Sequence, residues 1–189
     1  MIQKILSKLF GLTLVADLPR HSTRFAVKHF KGKRIKVVEV GTFEGKNAED
    51  ILNRLSVTKF WIVDPYESHN DYSETEPGQT TKVLNKAMSR ATKRLSEYPH
   101  LITWVRKYSD DALDEIPMAD FVYIDGDHSY RQSKKDMVNY WNKVNEGGIL
   151  AGHDITAQNY GVAQAFVEFC SERNLKPYIT RTDWWVVKN

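Results

Sequence analysis

Short apolar runs alternate along the chain with longer segments whose apolar residues recur at helical spacing. The runs are nearly continuous, which is typical of parallel strands covered by helices on both faces. The predicted strands are Ile35–Val40, Phe60–Val63, Leu101–Val105, Phe121–Ile124 and Ile149–Gly152. The predicted helices are Asn47–Leu55, Thr81–Tyr98, a short piece over Asp110–Ile116, Gln132–Val144 and Gly161–Arg173. This alternation predicts an α/β fold built on a parallel sheet.

The end of the chain departs from the alternation. Two predicted strands, Tyr178–Thr180 and Trp184–Val187, are joined only by the turn Arg181–Asp183. Because parallel strands need a long crossover, such a tight connection requires an antiparallel pair. Trp184 and Trp185 should point to opposite sides of their strand, and we expect both to pack in the core.

Two further segments lie outside this pattern within what we treat as a single domain, residues 1–189. Residues 1–33 form a predicted N-terminal helical extension, because apolar residues between Ile2 and Phe10 recur at helical spacing with lysines between them. That helix would cover a sheet edge or pair with a second copy of the chain. Residues 65–80 are polar and without periodicity, which predicts a loop or lid that either contacts substrate or lies free on the surface.

Composition narrows the class of protein. A chain of 189 residues with 41% hydrophobic residues suits one well-packed domain. The formal net charge of +3 comes from basic residues interleaved with acids, which is typical of a solvated surface rather than a nucleic-acid-binding face. No segment approaches the roughly 18 apolar residues of a membrane span, and the single cysteine, Cys170, excludes an internal disulfide. We therefore expect a soluble, cytoplasmic protein.

Candidate chemistry follows the predicted strands directly. Ligands of parallel α/β sheets bind beyond the carboxyl ends of the strands, where this chain has a glycine turn at Gly41–Gly45 and a carboxylate, Asp64. A carboxylate about 20 residues past such a turn is placed to accept ribose hydroxyls. The sequence therefore predicts a nucleoside-bearing cofactor. The spacing Gly-x-x-x-Gly lacks the Gly-x-Gly-x-x-Gly turn that admits a pyrophosphate, which disfavours a nicotinamide dinucleotide.

These segments resemble class I methyltransferases that use S-adenosylmethionine (SAM), and among them methyltransferase family 24. The motifs that carry the resemblance are Glu39-Val-Gly-Thr-Phe-Glu-Gly45, Val63-Asp-Pro65, Ser109-Asp-Asp-Ala112, Phe121-Val-Tyr-Ile-Asp-Gly-Asp-His-Ser-Tyr130, Gly147-Gly-Ile-Leu-Ala-Gly-His-Asp154, Gly161-Val-Ala163 and Trp184-Trp-Val-Val187. The resemblance covers about residues 35–188. It implies a Rossmann-like α/β fold with a seven-stranded, mostly parallel sheet, an antiparallel final strand pair and helices on both faces.

The resemblance also implies which residues bind the cofactor. The residues expected around it, from its methionine and ribose parts to its adenine, are Glu39, Gly41, Thr42, Gly45, Asp64, Ser109 and Asp110. Asp125 would face the amino group of the cofactor or the reaction centre.

Methyl transfer to a hydroxyl requires alignment of the acceptor and removal of its proton. Four candidate catalytic residues follow two neighbouring strands: Asp125, His128, His153 and Asp154. In one interpretation Asp125, His153 and Asp154 hold Mg²⁺ or another divalent cation. In a second, His128 or His153 acts as a base without metal, and in a third the histidines only bond their neighbours. The metal-dependent O-methyltransferases that this group resembles carry an acidic or amide pair where this chain has His153-Asp154, and this departure counts against a metal.

The expected function is therefore SAM-dependent methylation of a hydroxyl on a small molecule or sugar. Two alternatives stay open, namely a nicotinamide-dependent oxidoreductase on the same architecture and a SAM-binding module without turnover. An RNA acceptor is disfavoured, because the chain has neither an Asn-Pro-Pro-Tyr type of motif nor a concentrated basic stripe. A homo-oligomer formed through the N-terminal helix is a further expectation.

Overall fold

The computed structural model describes residues 20–67 and 80–189. Its strands are β1 (Ile35–Val40), β2 (Val57–Val63), β3 (Ile102–Val105), β4 (Ala119–Ile124), β5 (Val144–Gly152), β6 (Tyr178–Thr180) and β7 (Asp183–Val187). Its helices are α1 (His21–His29), α2 (Lys46–Arg54), α3 (Thr81–Arg94), α4 (Tyr130–Trp141) and α5 (Tyr160–Glu172), with a 3₁₀ turn at Leu113–Glu115. The helix predicted near Ile2–Phe10 and most of the loop predicted at 65–80 lie outside the described residues.

The strands form one seven-stranded sheet in the order β3-β2-β1-β4-β5-β7-β6. Strands β1 to β5 run parallel, whereas β7 is antiparallel to both β5 and β6. The predicted α/β fold with an antiparallel final pair is therefore confirmed. Strand β1 lies between β2 and β4, so the chain winds outward in opposite directions from this point, and such a switch is where open α/β sheets bind ligands.

Successive residues of each strand face different helical layers, as the near-continuous apolar runs predicted. On β1, Val37 packs with α1 and α2, while Val38 packs with α4 and α5 on the other face. The two tryptophans of β7 divide in the same way. Trp184 packs against Phe166 of α5 and Trp185 lies on the opposite face, with both side chains buried.

Some element boundaries differ from the predicted ones because tertiary pairing extends the strands. Strand β2 begins at Val57, which pairs with Ile35, and β5 begins at Val144, which pairs with Ala119. Helix α4 begins at Tyr130, since the side chain of Ser129 caps it by accepting a hydrogen bond from the Gln132 amide. No helix in the described part of the chain has the length and apolar character needed to cross a membrane.

Candidate active site

A pocket of about 640 Å³ lies at the carboxyl ends of β1, β2 and β4. This volume is in the range typical of small-molecule sites. The sequence-predicted cofactor residues among those lining it are Glu39, Gly41, Thr42, Asp64, Ser109, Asp110 and Asp125. The structure therefore brings these residues together at the point where the strand order switches.

The two predicted glycines, Gly41 and Gly45, have different structural roles. Gly41 has φ of +77°, and a β-carbon on it would lie 2.2 Å from the carbonyl oxygen of Asp125. Only glycine lets the chain leave β1 this close to β4. Gly45 has φ of +75° and precedes α2, and its β-carbon would lie 3.2 Å from a methyl carbon of Leu95. Gly45 thus permits close helix packing and is not among the residues that line the pocket.

Asp64 organises the loop after β1. Its carboxylate accepts hydrogen bonds from the backbone amides of Thr42 (3.0 Å), Phe43 (2.9 Å) and Tyr66 (2.9 Å). Burial raises the pKa of Asp64, although these amides oppose the increase. A carboxylate has about four acceptor positions, so one position remains for a ligand. Asp64 therefore supports the loop while it also lines the pocket.

Glu39 and Asn47 present acceptor atoms to the pocket. The fully buried Glu39 accepts hydrogen bonds from the Thr42 hydroxyl and from Asn47 Nδ2, the latter at 2.7 Å. Burial raises the pKa of Glu39 to about 7 even though both bonds oppose the shift. Asn47 Oδ1 is also buried and accepts no hydrogen bond from any described residue. Together the two side chains suit a cationic group of a ligand.

The far end of the pocket contains polar residues that sequence reasoning missed. Gln132 Nε2 lies 2.9 Å from Asp136 Oδ1 and 3.1 Å from Ser109 Oγ. Asp136 is 1% exposed, and burial raises its pKa to about 7 despite hydrogen bonds from Ser109 and Gln132. Both residues lie on α4, which the sequence predicted as a helix but not as part of the site. Their polar types at i and i+4 were the available signal.

The candidate reaction centre is built around Asp154, which follows β5 with φ of +67°. Its Oδ2 lies 3.0 Å from His128 Nε2, and its Oδ1 lies 3.0 Å from His153 Nδ1. Burial disfavours the ionised form, but the two histidines outweigh it and hold the pKa of Asp154 well below its usual range. Asp154 is therefore an ionised carboxylate between two imidazoles.

His128 and His153 have different surroundings. Asp125, His128 and Asp154 each offer one ligand atom, and these atoms lie within 4.8 Å of one another. His153 has both ring nitrogens engaged, one by Asp154 and the other by Thr182 Oγ1 at 2.7 Å. The imidazole that lies close to both Asp125 and Asp154 in this group is therefore that of His128 rather than His153. His153 and Asp154 lie beside the pocket rather than in its lining.

Arg20 joins this centre from the N-terminal segment. Its Nη2 lies 2.9 Å from Asp125 Oδ2, and its Nη1 lies 3.9 Å from Asp183 Oδ1. Burial raises the pKa of Asp125 to about 6, although the Arg20 charge opposes the shift and the Asp154 charge adds to it. The motifs that carry the resemblance begin after Arg20, and Asp183 belongs to the turn between two of them. No sequence pattern therefore placed either residue in the site.

The parallel sheet, the glycine turn and the cavity at the strand switch define a Rossmann-like α/β protein, with its cavity where such sheets bind ligands. The model of the methyltransferase-domain family matches residues 38–155, which is more than half of the chain. The chain therefore belongs to the methyltransferase-domain family, as the resemblance predicted.

Solved structures share this fold at low sequence identity. An O-methyltransferase of Bacillus cereus, in complex with S-adenosylhomocysteine (SAH), is 12% identical with a TM-score of 0.65, over 99% of this chain and 97% of that one. The O-methyltransferase TomG of Streptomyces achromogenes, in complex with SAM, is 12% identical with a TM-score of 0.62, over 100% and 96%. These similarities confirm the architecture.

A viral relative is similar in sequence. An uncharacterized protein of Acanthamoeba polyphaga mimivirus is 25% identical over 156 residues, which is 79% of this chain. The chain spans 64% of the length of that relative.

Proposed function

We propose that this protein transfers the methyl group of SAM to a hydroxyl oxygen of a small molecule or sugar. The observation that carries the proposal is the contact between the pocket and the Asp125, His128 and Asp154 group, because Asp125 belongs to both. A methyl donor in the pocket would therefore lie beside groups able to deprotonate or polarise a hydroxyl. The similar structures from B. cereus and S. achromogenes are O-methyltransferases, which supports oxygen as the acceptor.

The pocket suits SAM by its shape and its unpaired acceptors. Gly41 leaves room where any side chain would collide with the backbone at Asp125. The carboxylate of Glu39 and the open Oδ1 of Asn47 would bind the ammonium group of the methionine part. The remaining acceptor position of Asp64 would take one ribose hydroxyl, and the polar groups of Ser109 and Asp136 would lie by the adenine. Bound SAM supplies a methyl group activated by its sulfonium.

We propose His128 as the general base. Its Nε2 lies 3.0 Å from Oδ2 of the ionised Asp154, and an imidazole beside a carboxylate is stabilised when it takes up a proton. His153 would act through Asp154 by holding that carboxylate from the other side. His128 would then receive the proton of the acceptor hydroxyl as the carbon–oxygen bond forms.

A divalent cation bound by Asp125, His128 and Asp154 is the second mechanism that the geometry supports. Two carboxylates and one imidazole within 4.8 Å form a mixed oxygen and nitrogen donor set, which suits Mn²⁺ better than Mg²⁺. A cation held there would polarise the acceptor hydroxyl. His128 would then be a ligand, so this mechanism and the base mechanism exclude each other at that residue.

The test is binding and turnover measured on the same preparation. We expect SAH to bind in calorimetry more tightly than NAD, and SAH to form from SAM when a panel of phenols, catechols, sugars and other alcohols is offered. Repeating the assay with EDTA or added Mn²⁺ separates the two mechanisms. Tighter binding of NAD would overturn the proposal, and SAH binding without turnover on any acceptor would favour a binding module.

We further propose a cytoplasmic location and contact between copies through the predicted N-terminal helix. The buried thiol of Cys170 is compatible with a reducing compartment, since burial raises its pKa to about 11 and keeps it unreactive. Fractionation of cells and light scattering of the purified chain would test the two points.

A further inference from the structure

Arg20 supplies a permanent positive charge inside the candidate reaction centre. Its guanidinium carbon lies 5.7 Å from the centroid of the Tyr123 ring, and its Nη2 lies 2.9 Å from Asp125 Oδ2. A guanidinium is not deprotonated in proteins. Arg20 therefore places a permanent positive charge beside one of the carboxylates that we propose for cation binding.

The backbone that carries Arg20 is fixed by a second carboxylate. The amide of Ser22 donates a hydrogen bond to Asp183 Oδ2 at 3.1 Å, and Ser22 is fully buried. Asp183 also lies 3.9 Å from Arg20 Nη1. The guanidinium thus lies between two carboxylates, bonded to Asp125 and within reach of Asp183.

Arg20 has its close carboxylate contact with Asp125, whereas Asp154 has the imidazoles of His128 and His153 at 3.0 Å. Asp125 is therefore the residue that the guanidinium and a divalent ion would both need. At the Asp125, His128 and Asp154 group such an ion would share Asp125 with the guanidinium, and positive charges this close repel each other strongly in a partly buried site.

We propose that Arg20 is a positioning residue that competes with a divalent cation for Asp125. In its observed position it weakens cation binding, and the cation is accommodated when the guanidinium moves from Asp125 to Asp183. The inference rests on the proposed function of the Asp125, His128 and Asp154 group. It makes the N-terminal segment, which lies outside the family match, a determinant of metal use.

The test is direct titration of the full chain with Mn²⁺ alone, followed by electron paramagnetic resonance. Arg20→Met removes the charge and keeps much of the apolar stem, so it should bind Mn²⁺ at least about tenfold more tightly than the unaltered protein. Arg20→Lys keeps the charge and should give a smaller change. Arg24→Met is the matched control, because Arg24 lies one turn further along α1 with an exposed side chain. This variant should bind Mn²⁺ with the affinity of the unaltered protein.

Binding of SAH by each variant separates this inference from the proposed function. Arg20→Met with normal SAH affinity but equal or weaker Mn²⁺ affinity overturns the role of Arg20, as does a failure of every variant to bind Mn²⁺. Failure of the unaltered protein to bind SAH counts against the proposed function instead. Should Arg20→Met lack a cooperative melting transition, Arg20→Gln replaces it with the same expected tightening, and unchanged binding there overturns the inference equally.

Discussion

A β-carbon on Gly41 would lie 2.2 Å from the carbonyl oxygen of Asp125. The turn after β1 and the segment after β4 are therefore in direct backbone contact, although they lie far apart in sequence. This contact sets the floor of the pocket between the proposed cofactor residues and the candidate reaction centre.

Gly41→Ala tests this contact, and Gly32→Ala is its control. Both glycines have φ of +77°, but a β-carbon at Gly32 meets no atom within 4 Å. Gly32→Ala should lower the free energy of unfolding by about 1 kcal/mol through backbone strain alone. Gly41→Ala should cost about 3 kcal/mol or more and weaken SAH binding, because the backbone at Asp125 must move. Equal losses in urea unfolding would contradict the close approach.

Glu39→Gln should weaken SAH binding by about 1.5 to 3 kcal/mol, because a charged partner of the ligand ammonium is lost. The pKa of Glu39 is raised to about 7, so this carboxyl ionises as the pH rises through neutrality. The affinity of the unaltered protein for SAH should then increase about fivefold between pH 6 and 7.5. Calorimetry on Glu39→Gln should show a flatter pH dependence. Glu49→Gln is the control, because it alters an ion pair with Arg94 outside the pocket lining. Its SAH affinity and the pH dependence of that affinity should match those of the unaltered protein.

His128→Gln should reduce kcat by about 100-fold or more, as expected for loss of a general base. His153→Gln should have a smaller effect, about tenfold, because His153 reaches the reaction only through Asp154. SAH affinity should change little in either variant. The comparison requires single-turnover rates with saturating SAM. A larger loss in His153→Gln would reverse the assignment of the two histidines.

Asp136→Asn should reduce the dependence of stability on pH. The pKa of Asp136 is raised to about 7 by burial, so between about pH 4 and 7 the unfolded chain loses this proton while the folded protein keeps it. The contribution of Asp136 to the free energy of unfolding is thus greatest at low pH and declines as the pH rises. In Asp136→Asn the loss of this free energy with rising pH should be smaller, by on the order of 3 kcal/mol. Urea unfolding at pH 5 and pH 8 measures it, and the exposed Asp114→Asn should leave the decline intact.

The sheet and much of the pocket were predictable because they follow from local patterns. Apolar runs located β1 and β4, and parallel strands necessarily bring their carboxyl ends to one edge. Gly41, Asp64 and Asp125 could therefore be placed together from sequence alone. The strand starts at Val57 and Val144 were missed because pairing with a neighbour, rather than apolar spacing, extends those strands.

The residues that escaped prediction depend on contacts between distant parts of the chain. Arg20 meets Asp125 across 105 positions, and no local pattern encodes such a meeting. Likewise, spacing showed that His128 and His153 follow neighbouring strands but not which imidazole would approach Asp125. That distinction arises from side-chain directions around Asp154 and from the hydrogen bond between His153 and Thr182. Gly45 follows the glycine motif, yet its surroundings are those of a helix-packing residue.

The hydrogen bond between Ser22 and Asp183 joins residues 161 positions apart, whereas the last residue lining the pocket is Asp136. Every residue that lines the cavity therefore precedes β7 in the chain. Asp183 lies on a strand that contributes nothing to the lining, and it acts on the cavity through the N-terminal segment that it holds.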